Sequence, residues 1–252
     1  MRSLALFVLL AATLTSGAVA QSLPMTAEQR ESRAISAVSI QKLRHTRHLP
    51  HRYLRVARKA MIAGLDIDDN DMARLGDHKD GLAAKRYAAR LIARDPVAHA
   101  SDIAYYSAIA AGTGRIYALD DMIAAMHHLD PVSEPWSRRH MLIKVLYSHA
   151  WAGNVMALDA VIAFNGEGTL FGPMSDATRA RVLRHGAVHD GRAELLLAMK
   201  LMARGDVRPP VLQQAMDYLQ RGAESRDLTI STTSRNLIPL VVGRLAAQVA
   251  SN

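Results

Sequence analysis

Apolar residues recur along most of the chain at spacings of three and four, the period of one helix face. No long segment alternates in twos as a half-buried strand would. Thr26 and Gln29 have capping-box spacing and start a helix expected to run to about Arg44. His48-Leu49-Pro50 breaks it, and Pro50 opens a second helix ending near Gly64. An acidic turn, 66–71, leads to short helices over about 70–76 and 81–94, the latter stopped by Asp95-Pro96. Ser101-Asp102 then caps a helix to about Ala111, and Arg115 to Leu129 forms the next. Ser133 caps a helix with Pro135 in its first turn, running to Ala152, and Val155 to Phe164 follows. After a Gly-rich loop, Asn165 to Pro173, helices are expected over 175–188, 192–204, 210–224 and 232–250. The short connections force neighbouring helices antiparallel.

One motif repeats. Ala111-x-x-Gly114-x-x-x-Ala118-Leu119-Asp120-x-x-Ile123-Ala124 recurs as Ala150-x-x-Gly153-x-x-x-Ala157-Leu158-Asp159-x-x-Ile162-Ala163, offset by 39 residues throughout. Each Gly makes a tight turn, and the Ala, Leu and Ile that follow form the buried stripe of a helix. Further on, Ala193-x-x-Leu196-Leu197-Ala198, Gly205-Asp206-Val207 and Ala215-x-x-Tyr218-Leu219-x-x-Gly222-Ala223 follow one another. This segment resembles a degenerate Sel1-like repeat, a relative of the tetratricopeptide repeat. It departs from that pattern in lacking a second Gly after Gly205 and the paired Ala before Gly222. The resemblance implies an all-α fold, an α/α solenoid of antiparallel helix pairs that binds proteins. It brings no catalytic residue set.

Composition adds a destination. Arg2, the apolar run Leu4 to Leu14 and the Ala18-Val19-Ala20 cleavage pattern read as a signal peptide over residues 1–20, giving a periplasmic or secreted protein. The run is interrupted by Thr15, Ser16 and Gly17, so a membrane anchor fits less well. No later stretch is apolar enough to span a bilayer, so a soluble mature chain is expected. The organisation read from the sequence is a leader, N-terminal basic helices over 21–64, and a helical repeat array over 65–252. With no Cys there is neither disulfide nor thiol catalysis, and packing must carry the stability. Of 31 Lys and Arg one lies in the leader, which leaves 30 against 23 acids, a net +7. That balance suits an anionic partner: an acidic protein, an acidic polymer or an envelope surface. An exported chain has no nucleic acid to meet.

The most unusual segment runs from Lys42 to Lys59. It holds Lys42, Arg44, Arg47, Arg52, Arg55, Arg58 and Lys59, with His45, His48 and His51 and no acid. Read functionally it is an anion-binding face whose histidines gain charge below about pH 6.5. Read structurally it is a solvated basic face, with Leu54, Val56, Met61 and Ile62 on the buried side of its helix.

Other signals are weaker. Asp66-x-Asp68-x-Asn70 with Asp77 has the outline of a calcium loop, but Asp71 stands where Gly is needed, and an acidic helix cap accounts for it better. His185 and His189 could share a helix face, though Gly186 weakens that helix and surface histidine is the simpler reading. Ser39-x-x-Lys42 has serine–lysine acylase spacing without its companion motifs. The Gly-rich stretches at 112–114 and 166–168 lack the Lys and the preceding strand of a phosphate loop. Trp136 and Trp151 are expected to pack between helices.

The leading expectation is an exported protein-binding scaffold or adaptor of the bacterial envelope, without catalysis, metal or organic cofactor. An alternative is a periplasmic regulator or assembly factor that docks on an anionic polymer or membrane protein. A second alternative is an envelope enzyme of unrecognised type.

Overall fold

Asp80 shows how this sequence starts a helix. Its Oδ1 accepts from the N–H groups of Leu82 and Ala83 at 3.0 and 3.1 Å, opening α4 (Gly81–Arg94). Asp68, Asn154 and Ser175 do the same for α3 (Asp69–Asp77), α8 (Val155–Phe164) and α9 (Asp176–Gly186). The computed structural model describes residues 23–203 and 208–251. The leader read over 1–20 and Gly205-Asp206-Val207 lie outside the described residues. Helix makes up 69% of the described residues, and there is no strand among them, so the all-α expectation holds.

The remaining helices are α1 (Ala27–Ser32), α2 (Arg52–Ile62), α5 (Ala100–Gly112), α6 (Ala118–Met126), α7 (Trp136–Trp151), α10 (Arg192–Ala203), α11 (Pro209–Ala223) and α12 (Leu228–Ser251). Several boundaries differ from the sequence reading. α5 begins at Ala100, so Ser101 and Asp102 sit in its first turn instead of capping it. Ser133 does not cap α7; Asp130 instead accepts from Val132 and Ser133 in the loop before it.

Helices pack on their neighbours in chain order. α5 is apolar nearly all round and is buried against α4, α6 and α7. Its alanines at 104, 108, 110 and 111 are fully buried and let those helices come close. The main core runs from Ile40 to Val241. A smaller core seats Leu49, Leu54, Ala57 and Met61 on Leu75 and Ala83, joining α2 to α3 and α4. In the two copies of the repeated motif, Gly114 and Gly153 turn the chain at φ 103° and 102°, a region open to Gly and costly for other residues. Their following Ala118–Leu119 and Ala157–Leu158 are buried.

The N-terminal helix is shorter than expected. The capping box at Thr26 forms both of its bonds, yet α1 stops at Ser32 instead of continuing to Arg44. From Arg33 to Leu43 the chain is an irregular strap. Its backbone groups bond to residues up to 121 positions away, and Ser36, Val38, Ser39 and Ile40 are poor helix formers. Long-range partners here replace the helical bonds that local spacing suggests.

Candidate functional site

The basic segment divides into two groups. Arg58 is structural: its Nε donates to Asp80 Oδ2 at 2.5 Å and its Nη1 donates to Thr46 Oγ1 at 2.6 Å. Asp80 is only 5% exposed, so Arg58 compensates a buried carboxylate that also caps α4. Arg55 donates to the Leu49 carbonyl at 3.5 Å and helps close the chain entering α2. Within the run of candidate contact residues, these two are engaged with the body of the protein.

Lys42, Arg44, Arg47, Arg52 and Lys59 are exposed and make no ion pair among the described residues. Lys42 lies on the strap, Arg44 and Arg47 before and within a short 3-10 turn over Thr46–His48, and Arg52 and Lys59 on α2. His45 and His48 pack edge-to-face at 5.3 Å, and His51 stacks on Tyr53 at 5.5 Å. On α2 the buried side is Leu54, Ala57 and Met61. Val56 and Ile62, expected inside, are 59% and 58% exposed, and Tyr53 and Leu65 are exposed beside them. The helix thus offers apolar surface among unpaired cations.

The acids nearby are already engaged. Asp69 bonds both Arg90 and Arg94, and Asp66 bonds Arg90. The Arg90 hydrogen bond, above all, holds the Asp69 carboxyl below its ordinary range. Asp68 caps α3, while Asp77 accepts from Tyr106 at 3.3 Å. The residues with a calcium-loop outline are therefore split between a cap, two arginines and a tyrosine.

α9 ends at Gly186, so His185 and His189 do not share a helix face. His185 packs on Trp151 at 5.3 Å, and Arg181 stacks over the same indole at 4.7 Å. Trp151 packs between helices as expected. Trp136 does not: it is 71% exposed and stacks on His140. Ser39 Oγ is buried without a hydrogen-bond partner, and Lys42 is exposed on the same strap.

A shallow cavity of about 210 Å³ lies among Asn165, Glu167, Arg179, Lys200, Gln214 and Tyr218. Arg179 pairs with Asp176 at 3.2 Å and Lys200 donates to the Ala163 carbonyl, so its cations already have partners.

Two polar residues matter more than the sequence suggested. Asn154 and His149 are both fully buried, and both bond to the strap. The local signal is slight: Asn154 follows the turn glycine where an N-cap is favoured, and His149 lies among apolar residues of α7, and neither pattern points to a distant partner. No described helix is long and apolar enough to cross a membrane. The chain matches no known protein family, and no curated protein or solved structure is significantly similar to it.

Proposed function

We propose that this chain is an exported binding scaffold that docks an acidic protein partner of the cell envelope through its basic N-terminal surface, and that it acts by association and not by catalysis. One observation carries the reading: Lys42, Arg44, Arg47, Arg52 and Lys59 are exposed on one continuous segment and make no ion pair among the described residues. Unpaired charge of one sign steers an oppositely charged partner and fixes its register. The exposed Tyr53, Val56 and Ile62 beside these cations favour a protein partner over a bare anionic polymer, because an interface core is apolar and aromatic.

The same proposal takes the helices as an α/α solenoid of antiparallel pairs of Sel1-like or tetratricopeptide-like type, in the periplasm or outside the cell. Support comes from the matching left-handed turns at Gly114 and Gly153 and from packing in chain order, α4 on α5, α5 on α7, α8 on α10 and α10 on α11. The test is affinity capture from envelope extracts with the wild-type chain and with a variant carrying Gln at Lys42, Arg44, Arg47, Arg52 and Lys59. The variant should keep its thermal transition, lose the acidic partner, and lose the salt sensitivity of capture. Capture of the same proteins with unchanged salt dependence overturns the basic contact. Turnover of a small substrate by the purified chain, abolished by one substitution, overturns the scaffold reading.

A further inference from the structure

The strap crosses the ends of several helices in reverse chain order, and the body holds it by its backbone. Ahead of the strap and of α1, Arg192 donates to the carbonyls of Leu23 and Pro24, each at 2.8 Å. Asn154 Nδ2 donates to the carbonyls of Arg33 and Ile35 at 2.7 and 2.9 Å. His149 Nδ1 accepts from the Ala37 N–H at 3.1 Å. The Gly112 carbonyl accepts from Ser39 and Ile40, both at 2.9 Å, and the Lys79 carbonyl accepts from Leu43 at 3.0 Å. All five holding groups lie at or next to a turn between consecutive helices: α3 to α4, α5 to α6, α7 to α8, and α9 to α10.

Main-chain bonds carry little sequence information, and the strap's side chains hold it near its ends, through the Arg33 pair with Asp120 at 2.9 Å and through Leu43 on the smaller core, more than in between. Ile40 is buried against Gly112, but Ile35 is 38% and Val38 72% exposed. The receiving side differs: Asn154 and His149 are fully buried polar groups. Without an occupant Asn154 loses two acceptors and His149 its donor, and only water can replace them. The row of turns thus holds an extended chain by its backbone, with a seat for one apolar side chain at Gly112.

We infer that this row of turns is a binding groove for an extended peptide, filled here in cis by residues 33–43. The fitting partner is a peptide segment with apolar side chains at the places of Ile35, Val38 and Ile40, spaced i, i+3, i+5. Ile40 would be replaced by a residue that fits against the bare Cα of Gly112, whose absent Cβ would stand 2.7 Å from Ile40 Cδ1. The side chains of Ile35 and Val38 lie 3.5 and 3.6 Å from the Cβ positions that Gly153 and Gly114 lack, so bulkier apolar residues at those two places gain contact. The inference goes beyond the basic surface, with which it shares Lys42 on the strap.

The test uses the full chain and a labelled synthetic peptide of residues 30–45 as probe. In the wild type the cis strap competes and apparent affinity falls by the fraction of empty groove. An Ile40→Asp chain, which keeps the groove and weakens the strap, should bind the probe at least about tenfold more tightly. Adding Asn154→Asp should abolish that gain, and a probe with Ile40→Asp should not bind. Should Ile40→Asp prevent folding, the wild type decides: excess probe should speed amide exchange at Ala37, Ser39, Ile40 and Leu43. Three results overturn the inference. These are no binding by a folded Ile40→Asp chain with no exchange change in the wild type, binding indifferent to Asn154, or concentration-dependent dimerisation through Asn154 without probe binding, which would make a second copy the occupant.

Discussion

Arg58 and Asp80 form a 2.5 Å ion pair at the base of the basic segment, with Asp80 buried and simultaneously capping α4. One residue of an apparent charge run is thus part of the framework. Replacing Arg58 with Met keeps the aliphatic stem and strands the carboxylate. Breaking one side of a buried pair costs about 3 kcal/mol at the lower end. Arg52→Met, on an exposed and unpaired side chain, should stay within about 0.5 kcal/mol. Urea unfolding of both variants separates the roles; equal losses would put the distinction between them in error.

Asn154 has three bonds with different jobs. Its Oδ1 accepts from Ala157 to cap α8, and its Nδ2 donates twice to the strap. Asn154→Asp keeps the cap and turns both donors into an acceptor facing the Arg33 and Ile35 carbonyls. We expect α8 amides to keep their exchange protection while the strap amides of Ala37, Ser39 and Ile40 lose most of theirs. Asn154→Ala should expose both regions and cost about 1 kcal/mol more through the lost cap. Uniform loss of protection across the molecule in the Asp variant would show that strap and body do not separate.

His149, His127, His185 and His189 all have their pKa lowered from about 6.5, in each case chiefly by burial of the ring. Below pH 6.5 the unfolded chain therefore takes up protons that the folded chain refuses. Stability is full above about pH 6.5 and falls as the pH drops through the lowered values. His149 contributes in a particular way, because a proton on Nδ1 would meet the Ala37 N–H that Nδ1 now accepts. Asn at 149 offers an oxygen near the Nδ1 position without titrating. The variant should be less stable at pH 7.5 through lost packing, yet lose less stability between pH 6.5 and 5 than the wild type does. Parallel pH profiles would remove His149 from this account.

The helices were legible where their determinants are local. α4 and α8 occupy the residues that spacing and punctuation assign to them, and Thr26, Ser175 and Gly64 act as the cap, cap and left-handed stop they resemble. The strap was not legible. Residues 33–43 have only weak local reasons to leave the helix capped by Thr26, the low helix propensity of Ser36, Val38, Ser39 and Ile40; the rest is Asn154, His149, Gly112 and Lys79, far away in sequence. The charge run was legible as charge, but which cations are free depends on where Asp80 lands in space. Trp136 shows the converse, since a large apolar residue early in a helix gave no sign that its face would have no neighbour.

Gly112 and Ile40 supply the sharpest packing test. A methyl at Gly112 would stand 2.7 and 2.8 Å from Ile40 Cδ1 and Cγ1, closer than such atoms approach. Those atoms belong to a side chain on an irregular strap, so the strap can yield. At Gly186, by contrast, the added methyl would meet Ala193 Cβ at 2.3 Å, and that atom moves only with its backbone. Gly186→Ala should therefore cost more than Gly112→Ala, which we place at about 1–3 kcal/mol for overpacking. Ile40→Ala alone loses the buried side chain and should cost about 2 kcal/mol or more. Combined with Gly112→Ala it removes both clashing atoms, so the double variant should be more stable than the sum of the single losses by about 1 kcal/mol. Denaturant unfolding of the four chains gives this coupling directly. A coupling of zero would mean that Ile40 does not seat on Gly112 in solution. A large positive coupling with Gly186→Ala, in place of Gly112→Ala, would move the contact to another part of the molecule.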